Sequence, residues 1–361
     1  MKLEFIRKKL DEHQADAYIL INHEYSAQPD SRYLAGFSGS ESIILVTKSN
    51  QYLLVDGRYT IRGAQESPNY EMMVVNRGKV YDDLATILPK LAINTVLIDA
   101  DITSYSSVLA LKNSVSGLNV KTVNHLLIDI RISKTDDEIE KLKQAGSIAC
   151  QAFNQLVSEI KPGVTEKWVA GRLEFLMKDM GADKYSFDTI VASGTNGAFP
   201  HYVPSTKELR NGELVTIDWG CYLNGYASDM TRTIAIGQIS DKLRDIYETV
   251  KGSQQAGLDH AKHGISGINL DKVCRNYITE RNYGEYFVHG TGHGLGLDVH
   301  EYPMVNTTNN EVLPLNSVVS IEPGIYIQDV GGVRIEDCVV IQENGHINLN
   351  DQVTKELITI S

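Results

Sequence analysis

Cysteine is scarce: the four in 361 residues (Cys150, Cys221, Cys274 and Cys338) are widely scattered and never form a CxxC pair. That argues against a disulfide framework or a thiolate zinc site and fits a reducing, cytoplasmic setting. No apolar run is long enough to span a bilayer. The N-terminal MKLEFIRKKLDEHQ alternates charged and apolar residues where a secretory signal needs an unbroken apolar core. Positive charge is also short. A formal net charge of −12 argues against nucleic acid or an anionic membrane as the main partner. Carboxylates gathered to hold cations would account for part of that balance. Neither GxxxxGK[ST] nor a strand–GxGxxG–helix pattern is present, so a phosphate-cradling loop is not indicated. What remains, 42% hydrophobic and 22% charged, is an ordinary globular composition with chain enough for two or three domains.

The chain reads as two halves. Up to about residue 130, the short β-branched-rich runs AYILI, SIILVTK, QYLLVD, EMMVV and TVLIDA alternate with polar or amphipathic segments, the pattern of a compact α/β domain. Thr135 and Glu138 then form a T-x-x-E capping box. Ile139, Leu142, Ala145, Ile148, Ala149, Ala152, Phe153 and Leu156 follow at helical spacing, which places a boundary near residue 132. A second helix is expected from about Thr165 to Met180, stopped by Gly181. From Leu214 onward strand-like runs dominate. No repeat is visible in the sequence, although two hairpins look alike in design.

The first is ELVTIDWGCYLNGYASDMTRTIAIG, two strands around Asn224-Gly225. With those two residues as the loop, Asp218 faces Thr231 and Asp229 faces Gly220. Alternation puts both aspartates on one face, with β-carbons about 7–8 Å apart or somewhat less. Two like charges at that range repel unless a cation lies between them, and paired divalent ions sit roughly 3.5–4 Å apart in two-metal sites. A solvated face carrying unrelated acids is the plain alternative, and this hairpin alone does not decide.

The second hairpin, VVSIEPGIYIQDVGGVRIEDCVVI, puts Glu322 and Glu336 near mirror positions about residue 329, with Arg334 on the face of Glu336. Charges inside such apolar runs sit badly in a core unless something pairs with them. Two hairpins with one carboxylate per arm suggest a site between two similar half-structures. The stretch HGTGHGLGLDVHE adds His289, His293 and His300 within thirteen residues. Its four glycines would cost roughly 3–4 kcal/mol together in a helix, so a loop feeding a strand is expected. HExxH fails as well, with Gly290 where the glutamate should stand.

Together these residues resemble the peptidases of the creatinase/methionine aminopeptidase "pita-bread" fold, and within them the Xaa-Pro aminopeptidase and Xaa-Pro dipeptidase (prolidase) branch. HGTGHGLGLDVHE agrees along its whole length, and IDWG, SDMTRT, IEPGIY and GGVRIED match in order and spacing. ASGTNGAFPHYVPS resembles the segment carrying a further active-site histidine, here His201. The likeness spans about residues 133–355. YLAGFSGS (Tyr33 to Ser40) and VDGRY (Val55 to Tyr59) resemble aminopeptidase P more than prolidase.

The resemblance implies a smaller creatinase-like α/β N-terminal domain over 1–132 and a pita-bread α+β catalytic domain over 133–361. It implies two divalent ions held by Asp218, Asp229, His293, Glu322 and Glu336, with Asp229 and Glu336 bridging. His201, His289 and His300 match substrate-handling positions, and Arg334 a residue behind the ligands. Mostly oxygen ligands with one imidazole favour Mn²⁺, with Co²⁺, Fe²⁺ or Zn²⁺ as substitutes. The implied reaction is hydrolysis of the bond before proline. Glu322 accepts and returns the proton, and His289 or His300 donates to the developing oxyanion. An X-Pro bond has no N–H, so a dedicated site must read the ring and the free amino group instead. The N-terminal segments point to an aminopeptidase acting on peptides with proline at the second position, as a homodimer. Prolidase is the alternative, and a metal-free pita-bread binding protein the remote one.

Overall fold

The computed structural model describes residues 2–24 and 29–361. The fold divides after Ile130 into two compact units.

The first unit is one mixed sheet flanked by helices. Its strands are β1 (Ala17–Asn22), β2 (Ser42–Thr47), β3 (Gln51–Val55), β4 (Glu71–Val74), β5 (Thr95–Asp99) and β6 (Asn119–Val123), in the order β4-β3-β2-β1-β5-β6. β1 runs antiparallel to β2 and parallel to β5. β1 is buried along its whole length, which requires cover on both faces and explains its unbroken apolar run. The first five strands coincide with the five runs read in the sequence. The sixth, NVKTV, carries no such apolar run. It lies at the sheet edge with no fully buried residue, so it needs little apolar content.

The second unit is built from two halves of similar plan, each a helix pair followed by a hairpin. In the first half Thr135 and Glu138 form the expected capping box for helix Asp136–Val157. The next helix, Glu166–Asp179, is capped by the Thr165 side chain and followed by Gly181 at φ +103°. Phe153, Leu156, Val169 and Leu173 of this pair pack on Val215, Ile217, Trp219 and Ile234 of the first hairpin. In the second half, helices Asp241–His260 and Gly267–Thr279 interrupt the stretch read as mainly strand. Gly252, Ser253 and Gly257 are weak helix formers, which blurs the helical period. They also allow close packing: a β-carbon on Gly257 would stand 2.6 Å from Cys274 Sγ. Ile246, Val250, Leu270 and Ile278 cover Val319, Ile321, Val333 and Val339 of the second hairpin. Among the described residues no helix is long and apolar enough to cross a membrane.

Candidate metal centre

Both hairpins have the register the sequence gives. Strands Glu213–Trp219 and Met230–Ile236 pair Asp218 with Thr231, and the turn residues Asn224 and Gly225 both have positive φ. In the second hairpin Val318–Ile321 pairs with Asp337–Gln342 and Gly324–Ile327 with Gly331–Arg334, all about residue 329. Each hairpin is interrupted along its length, and Asp229, Glu322 and Glu336 lie at the interruptions. An isolated bridge joins Thr231 to Glu336. Asp218, Thr231 and Glu336 therefore form one row across adjacent strands, and paired residues share a face. Asp229, two residues before Thr231, lies on that face too.

His293 reaches this row from the short strand Gly292–Gly294, paired with Val318–Ile321. The glycine-rich run is thus loop and strand, as expected. Asp229, His293 and Glu336 each bring a ligand atom to within 4.8 Å of the others. His293 Nε2 lies 3.2 Å from Glu322 Oε1 and 3.7 Å from Asp229 Oδ2. Its Nδ1 faces the Gly294 carbonyl at 3.1 Å, which places a proton there and makes Nε2, turned to the carboxylates, the nitrogen that would ligate when deprotonated. Ser320 Oγ accepts from the His293 amide at 3.0 Å and donates to Glu322 Oε1 at 2.9 Å, tying the two candidate ligands together.

The electrostatics fit a cation site. Asp218 Oδ1 and Glu336 Oε1 are buried and accept no hydrogen bond. Such acceptors are costly to leave unsatisfied, and a divalent ion satisfies carboxylate oxygens. Burial pushes the Asp229 carboxyl well up, and the charges of Glu336, Asp218 and Glu322 push it further. Burial does the same for Glu336, aided by Glu322 and Asp218. Burial would also raise Glu322, but the hydrogen bond and charge of His293 bring it down to about 2. Crowding thus favours protons on Asp229 and Glu336 unless a metal replaces them.

All the residues singled out from the sequence line one cavity of about 620 Å³. Besides the five carboxylate and imidazole candidates, these are His201, His289, His300 and Arg334. Arg334 Nη2 donates to Asp218 Oδ2 at 2.6 Å, Nε to Thr231 Oγ1 at 3.1 Å and Nη1 to the Tyr326 hydroxyl at 2.8 Å. The Tyr326 hydroxyl in turn lies 2.9 Å from His289 Nε2, and His289 Nδ1 lies 2.7 Å from the Gly290 carbonyl. A carbonyl only accepts, so Nδ1 carries the proton and Nε2 accepts from Tyr326. Both nitrogens of His289 are engaged. His201 and His300 are exposed to solvent and, among the described residues, their rings make no hydrogen bond.

The three histidine segments are each fixed from outside the cavity. Arg275 donates to the Phe287 and His289 carbonyls, while Asp271 binds Arg275 and the Thr291 amide. Glu301, next to His300, is buried and paired with Arg131 and Lys134. On the His201 segment, Gly197 lies against Gly332. A β-carbon on Gly332 would stand 2.0 Å from the Gly197 carbonyl oxygen.

Two family models match the chain: Metallopeptidase family M24 over residues 140–343, and the Creatinase/Prolidase N-terminal domain over residues 2–133. The chain belongs to metallopeptidase family M24. It is 39% identical over 351 residues to the Xaa-Pro dipeptidase of Pyrococcus furiosus, covering 95% of this chain and 96% of the relative. It is 36% identical over 360 residues to the uncharacterized peptidase YqhT of Bacillus subtilis, covering 100% of each. The Xaa-Pro dipeptidase structure from Bacillus anthracis matches with a TM-score of 0.94 and 40% identity, over 99% of both chains. The X-Pro aminopeptidase structure from Thermotoga maritima MSB8 matches with a TM-score of 0.91 and 36% identity, over 98% of this chain and 100% of that one. A creatinase-type N-terminal domain followed by a pita-bread catalytic domain is therefore the architecture, and the enzyme is a metallopeptidase.

The sequence gives no role to Thr231, which joins Glu336 to Arg334, to Ser320, which joins His293 to Glu322, or to Tyr326, which joins His289 to Arg334. The available signal was a polar residue at an inward-facing strand position, as Thr231 is in SDMTRT. Asp271 and Arg275 go unmarked too, because their targets lie on a loop beyond their own helix.

Proposed function

We propose that this M24 enzyme is a dinuclear exopeptidase that hydrolyses the bond preceding proline, with X-Pro dipeptides as its substrates. One observation carries the proposal: two buried, donor-less carboxylate oxygens, on Asp218 and Glu336, stand in a cavity that also holds Asp229, His293 and Glu322. The near-full-length likeness to proteins named Xaa-Pro dipeptidase supports the substrate class. Asp218, Asp229, His293, Glu322 and Glu336 would hold the ions, Mn²⁺ in the first instance. Bound there, divalent ions supply a nucleophile by lowering the pKa of water from 15.7 to about 7.

The remaining chemistry belongs to the chain. Glu322 accepts and returns the proton, its Oε1 held by Ser320. The donor to the developing oxyanion is assigned to His300, since both ring nitrogens of His289 are already engaged. His289 instead sets the Tyr326–Arg334 chain that reaches Asp218. His201, which lines the same cavity, handles the substrate. The largely apolar lining suits a proline ring, which offers no N–H to read.

An aminopeptidase preference is the second reading. The Tyr33 to Ser40 and Val55 to Tyr59 segments favour it, as does the likeness to the Thermotoga maritima protein. Comparing kcat/KM on Gly-Pro and on a longer Gly-Pro-Y peptide with Mn²⁺-loaded protein decides between them. Faster turnover of the tripeptide would overturn the dipeptidase proposal, and no X-Pro cleavage at all would overturn both.

A further inference from the structure

Glu166 opens the helix Glu166–Asp179 and is fully buried, yet it does not line the cavity. A carboxylate buried this deeply needs donors, and Glu166 has five. Oε1 accepts from the Ser193 amide at 2.9 Å, the Ser193 hydroxyl at 2.7 Å and Asn196 Nδ2 at 3.0 Å. Oε2 accepts from the Ser205 amide at 3.1 Å and the Ser205 hydroxyl at 2.7 Å. Burial alone would raise this carboxyl, but the bonds from Asn196, Ser205 and Ser193 outweigh it and hold it below its ordinary value.

These donors come from the two ends of one irregular segment. Between them Pro200, His201, Tyr202, Val203 and Pro204 line the cavity. The Ser205 end is also tied by backbone, through Glu166 N to the Lys207 carbonyl and Lys167 N to the Ser205 carbonyl, both at 3.0 Å. The other end depends more on the side chain. Asn196 uses Nδ2 twice, donating to Glu166 and, at 2.7 Å, to the Tyr202 hydroxyl. That gives a direct path from the buried carboxylate to the residue beside His201. The His201 ring has no hydrogen bond of its own among the described residues, so its backbone must place it. A displacement of about 1 Å in a substrate-contacting group can cost roughly 10²-fold in rate.

We infer that Glu166 is the positioning residue for His201: one carboxylate closes both ends of the segment and, through Asn196 and Tyr202, fixes where the imidazole stands. This rests on the substrate-handling role proposed for His201. Glu166→Gln keeps the size but turns one acceptor oxygen into a donor, so the N–H donors on that side, Ser205 alone or Ser193 with Asn196, lose their acceptor.

The test is a double-mutant cycle on the metal-loaded enzyme with one X-Pro substrate, using Glu166→Gln, His201→Ala and the pair. Glu166→Gln alone should lower kcat/KM by about tenfold or more, and by less than about twofold once His201 is gone, because coupled residues are not additive. Equal losses in both backgrounds would mean a merely structural carboxylate and would overturn the inference. Hydrogen exchange gives a readout independent of turnover. The Ser193 or Ser205 amide, whichever faces the new NH2 group, should exchange faster in Glu166→Gln, and unchanged protection at both would overturn the inference whatever the kinetics. If Glu166→Gln does not fold, Asn196→Ala cuts the path at its middle and should show the same coupling to His201. An inert His201→Ala would overturn the His201 assignment and the inference together. Activity lost in His201→Ala without coupling would overturn the inference alone.

Discussion

Thr231 and Glu336 meet twice: the Glu336 amide donates to the Thr231 carbonyl at 3.1 Å, and the Thr231 hydroxyl donates to Glu336 Oε2 at 2.7 Å. One residue thereby joins the two hairpins and orients a candidate ligand. Thr231→Val keeps the shape and removes the hydroxyl, leaving Arg334 Nε without that acceptor. Loss of such an outer partner typically weakens metal binding by about 10–100-fold. Metal titration of the variant should show that loss, and unchanged affinity would contradict the proposed role of Glu336.

Chelation should lower the melting temperature. Asp218, Asp229, Glu322 and Glu336 crowd four carboxylates into one cavity, and a ligand that binds only the native state stabilises it by mass action. Mn²⁺ or Co²⁺ added back should restore both Tm and activity. A melting curve indifferent to verified metal removal would count against the centre.

The histidines should separate by metal content. His293→Ala should hold fewer than two ions per chain. His300→Ala should keep both and lose about 10²–10³ in kcat, the typical effect of removing an oxyanion donor. His289→Ala should also keep both ions, with activity falling through the freed Tyr326 and Arg334. Elemental analysis beside steady-state kinetics reads all three, and metal loss in His300→Ala would reverse the assignment.

Acid should weaken the Glu301 clamp. Burial would raise this carboxyl, but the Lys134 and Arg131 charges outweigh it and hold it below its ordinary 4.5. A carboxyl lowered in the folded state stabilises fully above its unfolded pKa, and that contribution is lost as pH falls through the folded value. Glu301→Gln leaves buried Lys134 without its carboxylate and Arg131 to its pair with Asp298, and should cost about 3–5 kcal/mol at neutral pH. The gap to the wild-type protein should narrow as pH falls below 4.5. Denaturant unfolding across that range checks it, and a gap constant with pH would show that the charge of Glu301 does not matter.

The parts that were legible in the sequence obey local rules. Asn224-Gly225 dictates a turn, the turn dictates register, and register brings Asp218 opposite Thr231. The same arithmetic about residue 329 brings Glu322 and Glu336 level. Helix Asp136–Val157 announces itself with a capping box and a clean apolar period. What escaped depends on distant partners. Helices Asp241–His260 and Gly267–Thr279 trade helix preference for close packing, and nothing near Glu166 or Asp271 in the chain indicates which loop each will hold. The engagement of His289 Nε2 by Tyr326 joins residues 37 apart, beyond any periodicity.

Gly197 and Gly332 set a gauge. Most pocket walls meet through side chains, whose rotamers let the gap widen or narrow by thermal motion. Here main chain rests on main chain, between the segment carrying His201 and the strand carrying Arg334. Such a joint contains no side-chain rotor, so its spacing changes only when the φ and ψ angles of the two segments move. The spacing of the two segments at that contact therefore does not change with any rotamer. A change that pushed the two segments apart at this point would have to bend the backbone itself.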